Sequence, residues 1–65
     1  MRLVLRGGPL DGKEMETNKY LPEWALPYPW GRIVEPRLVT YYRQHPIEKH
    51  LYEFTGSRPY YKEFN

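Results

Sequence analysis

The sequence predicts a small, mainly β domain: an antiparallel sheet or open barrel of four to five strands, with a crossover rich in proline and aromatic residues. Two segments, near the start and near the end of the chain, alternate apolar and polar residues on both sides of turn-forming loops, which is typical of β-hairpins. Four prolines between residues 20 and 36 exclude a long helix, because proline lacks an N–H and disfavours helical geometry in the residue before it.

The length of the chain sets a limit on its stability. A chain of 65 residues is expected to form a single domain, residues 1–65. Such a domain buries only about 60% of the surface of its unfolded chain and is therefore marginally stable. The sequence has no Cys, so disulfides cannot reinforce it. Seven Tyr, two Trp and two Phe can instead supply a dense aromatic core or an interface with a partner.

Residues 2–17 predict the first hairpin. Leu3 and Leu5 point to one face while Arg2, Val4 and Arg6 point to the other, and a second alternating segment contains Met15. A five-residue loop, residues 8–12, would pair Leu5 with Met15 and Leu3 with Thr17. This register keeps the apolar side chains on one face, so we prefer it.

The loop of this hairpin has the sequence Gly7-Gly8-Pro9-Leu10-Asp11-Gly12, which is a strong turn signal. It lacks the Gly-Lys-Ser/Thr ending of a phosphate-binding loop, and no helix is predicted after it. The loop is therefore interpreted as a structural turn in which Gly12 takes a positive φ.

The middle of the chain, residues 20–36, is interpreted as an ordered crossover. Residues 22–26 can form one helical turn that begins at Pro22, since proline is accepted in the first turn of a helix. Residues 26–30 are expected to be extended, near polyproline II geometry. The large rings of this segment argue against disorder, because disordered segments contain few aromatic residues.

Residues 37–43 and 50–55 predict the second hairpin, because both are rich in β-branched and aromatic residues. With Tyr42 opposite Leu51, one face would gather the side chains expected to be buried, namely Val39, Tyr41, Tyr52 and Phe54. Residues 59–64 are expected to add a short final strand.

The chain offers few residues for catalysis or for cofactor binding. It has no Cys, and Ser57 does not lie in a Gly-x-Ser-x-Gly motif. His45 and His50 are the only histidines, and two histidines without further ligands make a weak metal site. The sequence therefore predicts no catalytic residue, no metal and no cofactor, and the protein is not expected to be an enzyme.

The aromatic residues of the crossover predict a protein-binding surface. Trp24, Tyr28 and Trp30 are too many large rings for one loop unless they pack, and any that stay exposed form an apolar surface stiffened by neighbouring prolines. Trp and Tyr are enriched at the energetic centres of interfaces. We expect Trp24, Tyr28 and Trp30 to contact a protein partner, with Arg32 as a polar neighbour.

The alternative is binding of single-stranded nucleic acid by an exposed sheet face. Tyr41 and Tyr42 would stack on bases while Arg43 and Arg58 follow the backbone. The net charge is only +2 and the basic residues are scattered among acids, whereas nucleic-acid-binding proteins usually concentrate positive charge on one face. Nucleic acid is therefore the less favoured partner. No apolar run reaches the roughly 20 residues that span a bilayer, and no membrane role is predicted.

The opening Met1-Arg2-Leu3-Val4-Leu5-Arg6 and the Gly-Gly-Pro-x-Asp-Gly turn after it resemble the start of small, functionally unassigned proteins of actinobacterial phages. Such proteins often end with a Tyr-rich strand followed by Gly, similar to residues 51–56. The resemblance implies a viral origin and a non-enzymatic binding role, either as a virion accessory component or as a modulator of a host protein. The implied partner is a phage structural protein or a host protein, a homo-oligomer is compatible with it, and the implied location is the host cytoplasm or the virion.

Overall fold

The computed structural model describes residues 1–29 and 37–60, which form a single five-stranded sheet curled into a half-barrel. The strand order is β2-β1-β5-β4-β3. This architecture confirms the predicted fold class. Within these two ranges there is no helix, and hence none long and apolar enough to cross a membrane. The strands are β1 (Arg2–Arg6), β2 (Glu14–Glu16), β3 (Glu23–Tyr28), β4 (Leu38–Gln44) and β5 (Leu51–Pro59).

One pair of neighbours makes the sheet mixed. β1 lies parallel to β5, with Val4 beside Leu51 and Leu5 beside Tyr52, whereas the other three neighbouring pairs are antiparallel. Parallel strands need a long connection, and here the whole β2–β3–β4 segment provides it. The N-terminal hairpin is therefore attached to the C-terminal three strands through their last strand.

The predicted register of the first hairpin is wrong by two residues. Leu3 lies opposite Met15 and not Thr17, and the turn is closed by hydrogen bonds from the Leu5 N–H to the Lys13 carbonyl and from the Gly12 N–H to the Leu5 carbonyl. A shift of two residues preserves the side-chain alternation. The apolar residues of the hairpin therefore still share one face of the sheet, the inner face, which holds the core. The positive φ predicted for Gly12 is confirmed at +84°.

The predicted register of the second hairpin is also wrong, because the loop between its strands spans residues 45–50 and not residues 44–49. Tyr42 lies opposite Phe54 and not Leu51. The His45 N–H donates to the Leu51 carbonyl, and the His45 Nδ1 accepts hydrogen bonds from the backbone N–H groups that follow it, at 3.1 and 3.0 Å. These contacts close a tight loop and shift the pairing by three residues.

An odd shift exchanges the two faces of the predicted hairpin. Val39 and Tyr41 consequently lie on the outer face, where they are half-buried, while Tyr42 and Tyr52 are fully buried on the inner face. Phe54 packs against the inner core and contacts the Tyr42 ring at a centroid distance of 5.5 Å. The register also changes between residues 41 and 42, where β5 carries a β-bulge.

The predicted helical turn over residues 22–26 is wrong, since this segment begins the edge strand β3. The Gln44 N–H donates to the Pro22 carbonyl, which places alternate residues of β3 in hydrogen-bonded pairs with β4. Pro27 falls between those pairs and faces the free edge, where its missing N–H costs no hydrogen bond. The buried Thr40 hydroxyl adds a 2.8 Å hydrogen bond to the Leu26 carbonyl.

The inner face of the sheet holds the core. Two loop segments cover this face, and tyrosine hydroxyls hold them in place. The Tyr42 hydroxyl donates to the Gly7 carbonyl at 2.6 Å and accepts from the Leu10 N–H at 3.0 Å, while the Tyr52 hydroxyl donates to the Leu21 carbonyl. Burial raises the pKa of both tyrosines. The buried hydrophobic residues are Leu3, Leu5, Leu10, Leu26, Tyr42 and Tyr52.

The predicted final strand over residues 59–64 falls mostly outside the described residues. β5 itself continues to Pro59, and the Tyr60 N–H donates to the Arg37 carbonyl at 2.9 Å. The pairing of β5 with the start of β4 therefore extends one residue beyond the strand.

Candidate functional site

The residues predicted to bind a protein have different positions in the fold. Trp24 lies on the inner face opposite Tyr42 and packs, half-buried, against the core. Tyr28 lies at the end of β3 and is 37% exposed. Trp30 and Arg32 lie outside the described residues. Of the predicted set, Tyr28 is thus the described member that a partner can reach most readily.

The indole of Trp24 completes the inner core. Its Nε1 is buried and has no hydrogen-bond acceptor among the residues that the structure describes. The indole is close enough to the Tyr52 hydroxyl to oppose, in part, the rise in the pKa of that group caused by burial. Trp24 therefore contributes to stability rather than to an exposed binding surface.

Tyr28 belongs to a group of neighbouring residues at one end of the sheet, which we call the tyrosine–proline end and which consists of Tyr28, Leu38, Pro59 and Tyr60. Tyr28 lies opposite Leu38, and Leu38 lies opposite Pro59, so the group crosses three neighbouring strands. Tyr60 follows directly and is 37% exposed, as Tyr28 is. Two large rings thus remain accessible at one end of the sheet.

The tyrosine–proline end carries positive charge. Arg37 and Arg58 are exposed beside it. The carboxylates described in and between β3, β4 and β5, those of Glu23, Glu48 and Glu53, belong to the opposite end of these strands. This end of the sheet is therefore apolar and cationic.

The alternative nucleic-acid site loses one of its four residues. Tyr42 is fully buried and its hydroxyl is engaged by the loop of the first hairpin, so it cannot stack on a base. Neighbours along a strand point to opposite faces, which is why Tyr41 and Tyr42 separate. Tyr41, Arg43 and Arg58 do share the outer face, as their strand positions and the Val39–Arg58 pairing require.

Acidic residues interrupt the positive charge of this outer face. A row of paired residues crosses four strands with alternating charge: Arg6, Glu53, Arg43 and Glu23. The Arg6 Nη2 lies 2.7 Å from the Glu53 Oε2, and this hydrogen bond lowers the pKa of the Glu53 carboxyl. Such a row gives no continuous path for a phosphate backbone.

An open pocket of about 440 Å³ lies on the outer face at the β-bulge, and we call it the outer-face pocket. Tyr41 lies in a register row between Ala25 and Gly56, two small residues that leave space beside the phenol ring. The Thr55 hydroxyl donates to the Tyr41 carbonyl at 3.2 Å. The pocket is lined by Glu23, Tyr41, Thr55, Gly56, Ser57 and Arg58.

The sequence did not predict the pocket, nor Tyr60 as part of a protein-binding surface. Gly56 was interpreted as the end of a strand, whereas an isolated Gly within a strand pattern also indicates a β-bulge. β5 in fact continues through Gly56 to Pro59. That continuation brings Arg58 to the outer face and Tyr60 to the end of the sheet.

Two further observations bear on function. In the described part of the chain, no three His, Asp or Glu side chains are grouped so that they could hold a metal ion. Comparison of the chain with models of known protein families, with curated proteins and with solved structures found no match. The surface of the described residues is therefore the structural guide to function.

Proposed function

We propose that the protein is a phage-encoded, non-enzymatic protein-binding module that contacts its partner through the tyrosine–proline end. The observation that carries this proposal is the pair of accessible rings, Tyr28 and Tyr60, each 37% exposed at the same end of the sheet. Tyrosine supplies a large contact area at a low cost in side-chain entropy, and it is enriched where interfaces gain most of their energy. The phage origin rests on the resemblance of the opening strand and turn.

Side chains, rather than strand edges, are the expected means of contact. β2 is an edge strand of three residues, two of them Glu, and Arg2 forms ion pairs with both. β3, at the other edge, presents Pro27 where an added strand would need a donor. Short, charged or proline-containing edges discourage the addition of a further strand.

Charge complementarity indicates the chemistry of the partner. Exposed arginines adjoin the tyrosine–proline end, and the nearby described carboxylates lie at the far end of the strands. The partner surface is therefore expected to combine an apolar depression for the tyrosine rings with carboxylates at its rim. A phage structural protein or a host protein could supply it, in the virion or in the host cytoplasm.

Protein is favoured over nucleic acid by two observations. Tyr42, which would be the second stacking ring, is in the core, and acidic residues flank Arg43 on both neighbouring strands. The remaining residues, Tyr41 and Arg58, form a pocket that also contains the Glu23 carboxylate.

The test is affinity purification of the tagged protein from phage-infected actinobacterial cells, with and without nuclease, followed by mass spectrometry. The variant Tyr28→Ser/Tyr60→Ser removes both rings of the tyrosine–proline end. Ile47→Ser is the matched control, because Ile47 is 80% exposed in the loop at the opposite end of β4. All proteins are first shown to be folded by circular dichroism.

We expect the wild type and Ile47→Ser to recover one stoichiometric protein that resists nuclease, and the double variant to lose it. The purified double variant should then bind the purified partner at least about tenfold more weakly than the wild type does. Loss of every co-purifying protein upon nuclease treatment would support nucleic-acid binding instead. Equal recovery by the double variant would place the interface elsewhere.

A further inference from the structure

We infer that the outer-face pocket binds a neutral, polyhydroxylated ligand, namely a pyranose unit of a glycan. This pocket and the tyrosine–proline end have different residues at their centres. The inference therefore does not depend on the proposed protein partner.

The first support is the aromatic surface that Tyr41 offers. Its ring is half-buried on the outer face, and its neighbours on the adjacent strands are Ala25 and Gly56. The face of an aromatic ring carries partial negative charge, and the C–H groups on one side of a pyranose carry partial positive charge. A flat ring between two small residues therefore suits stacking against a sugar.

The second support is the set of polar groups around that ring. In the part of the chain that the structure describes, neither Glu23 nor Arg58 forms an ion pair or a side-chain hydrogen bond, although both line the pocket. A carboxylate accepts two hydrogen bonds and a guanidinium donates two, so each can engage neighbouring hydroxyls of one sugar.

The third support is the balance of charge. Glu23 and Arg58 contribute opposite charges to the same pocket, whose walls are otherwise uncharged. A phosphate or a nucleotide would be attracted by Arg58 but repelled by Glu23, and a cation would face the reverse. A neutral ligand with many hydroxyls uses both groups without such a penalty.

The experiment follows backbone amide signals of the intact protein by ¹H–¹⁵N NMR during titration. The probes are tetrasaccharides of β-1,4-linked glucose, β-1,4-linked N-acetylglucosamine, α-1,4-linked glucose and α-1,6-linked mannose, each up to tens of millimolar. Oligothymidine serves as the anionic comparison. We expect at least one tetrasaccharide to shift the signals of Tyr41, Gly56 and Ser57 in a saturable manner, and oligothymidine to leave them unchanged.

Four variants test the pocket and separate stacking from simple support of the sheet. Tyr41→Phe keeps the ring and should retain binding, whereas Tyr41→Thr keeps a β-favouring residue and should weaken binding by about tenfold. Glu23→Gln should weaken sugar binding. Tyr28→Ser lies outside the pocket and should leave binding unchanged, so this test and that of the protein partner can fail separately.

The inference is overturned if no tetrasaccharide shifts these signals, or if Tyr41→Thr binds as the wild type does while remaining folded. It is also overturned if oligothymidine shifts the same signals more strongly and in a salt-dependent way, since the pocket would then be an anion site. If Tyr41→Thr fails to fold, Glu23→Gln decides instead: this variant retains the side-chain shape at an exposed strand position, and sugar binding equal to that of the wild type would overturn the inference.

Discussion

Gly8 packs directly beneath the ring of Phe54, and its replacement by alanine gives a sharp test of how the first turn closes over the sheet. Gly8 has a φ of +68°, a conformation that L side chains rarely adopt. A Cβ atom at this position would lie 2.5 Å from Cγ and 2.9 Å from Cε1 of the Phe54 ring, which is well inside van der Waals contact. The substitution therefore combines backbone strain with steric overlap.

The two penalties can be estimated separately. A non-glycine residue in the left-handed region costs about 1–2 kcal/mol, and overpacking a filled site costs about 1–3 kcal/mol more. The sum, about 2–5 kcal/mol, is a large part of the roughly 3–10 kcal/mol expected for a domain of this size. Thermal and urea unfolding followed by circular dichroism should show a Tm lowered by roughly 10 °C or more for Gly8→Ala.

Gly12→Ala is the matched control, because Gly12 has a similar φ of +84° but nothing within 4 Å of an added Cβ. It should lose only the strain term, about 1–2 kcal/mol. In a Phe54→Leu background, where the side chain is smaller, the cost of Gly8→Ala should fall toward that of Gly12→Ala. Equal losses for Gly8→Ala and Gly12→Ala in the wild-type background would refute the close packing of Gly8 on Phe54.

Three further predictions concern hydroxyl and carboxyl groups. Tyr42→Phe removes both hydrogen bonds to the first turn and should destabilise by about 1–3 kcal/mol in urea unfolding; an unchanged midpoint would show that the turn is held by packing alone. The pKa of Glu53 is lowered, chiefly by its hydrogen bond to Arg6. The ionised Glu53 therefore contributes to the stability of the fold at pH values above its ordinary pKa of 4.5, and this contribution is lost as the pH falls below 4.5 and through the lowered pKa. Arg6→Gln should therefore lose less Tm than the wild type between neutral and acidic pH. If Tm falls with pH equally in the two proteins, the pair of Arg6 and Glu53 does not stabilise the fold. Burial raises the pKa of Tyr52 above 10.0, so the stability of the fold should decline as the pH rises through that raised value. Ultraviolet titration of the folded protein checks the raised pKa, and ionisation of every tyrosine together near pH 10 would contradict it.

The sequence predicted most strands but not how they pair. Alternation and turn chemistry located β1, β4, the start of β5 and the positive φ of Gly12. Register depends on how a loop closes. His45 accepts two backbone hydrogen bonds within the second loop, and the resulting register places Tyr41 on the opposite face from the one predicted. The parallel pairing of β1 with β5 joins distant segments, and no local pattern encodes it.

The edge strand β3 was missed because its prolines were weighed as helix starters and loop formers. Proline is also accepted on an edge strand at a position that faces away from the neighbouring strand, and Pro27 occupies such a position. For the site, alternation alone could have shown that Tyr41 and Tyr42 cannot share a face. The exposure of Tyr28 and the burial of Trp24 depend on tertiary packing and could not be predicted from the sequence.

The parallel pair in the middle of the sheet fixes an order of events during synthesis. Arg6 and Glu53, joined across this pair, are 47 positions apart in sequence. β1 is made before the other four strands and therefore has only β2 beside it until β5, made last of the five, has emerged. A two-stranded hairpin is barely stable alone, so the N-terminal hairpin is expected to form only transiently until then. Native structure is then reached late, in one step that closes a long loop, and refolding from urea is expected to be slow for so short a chain.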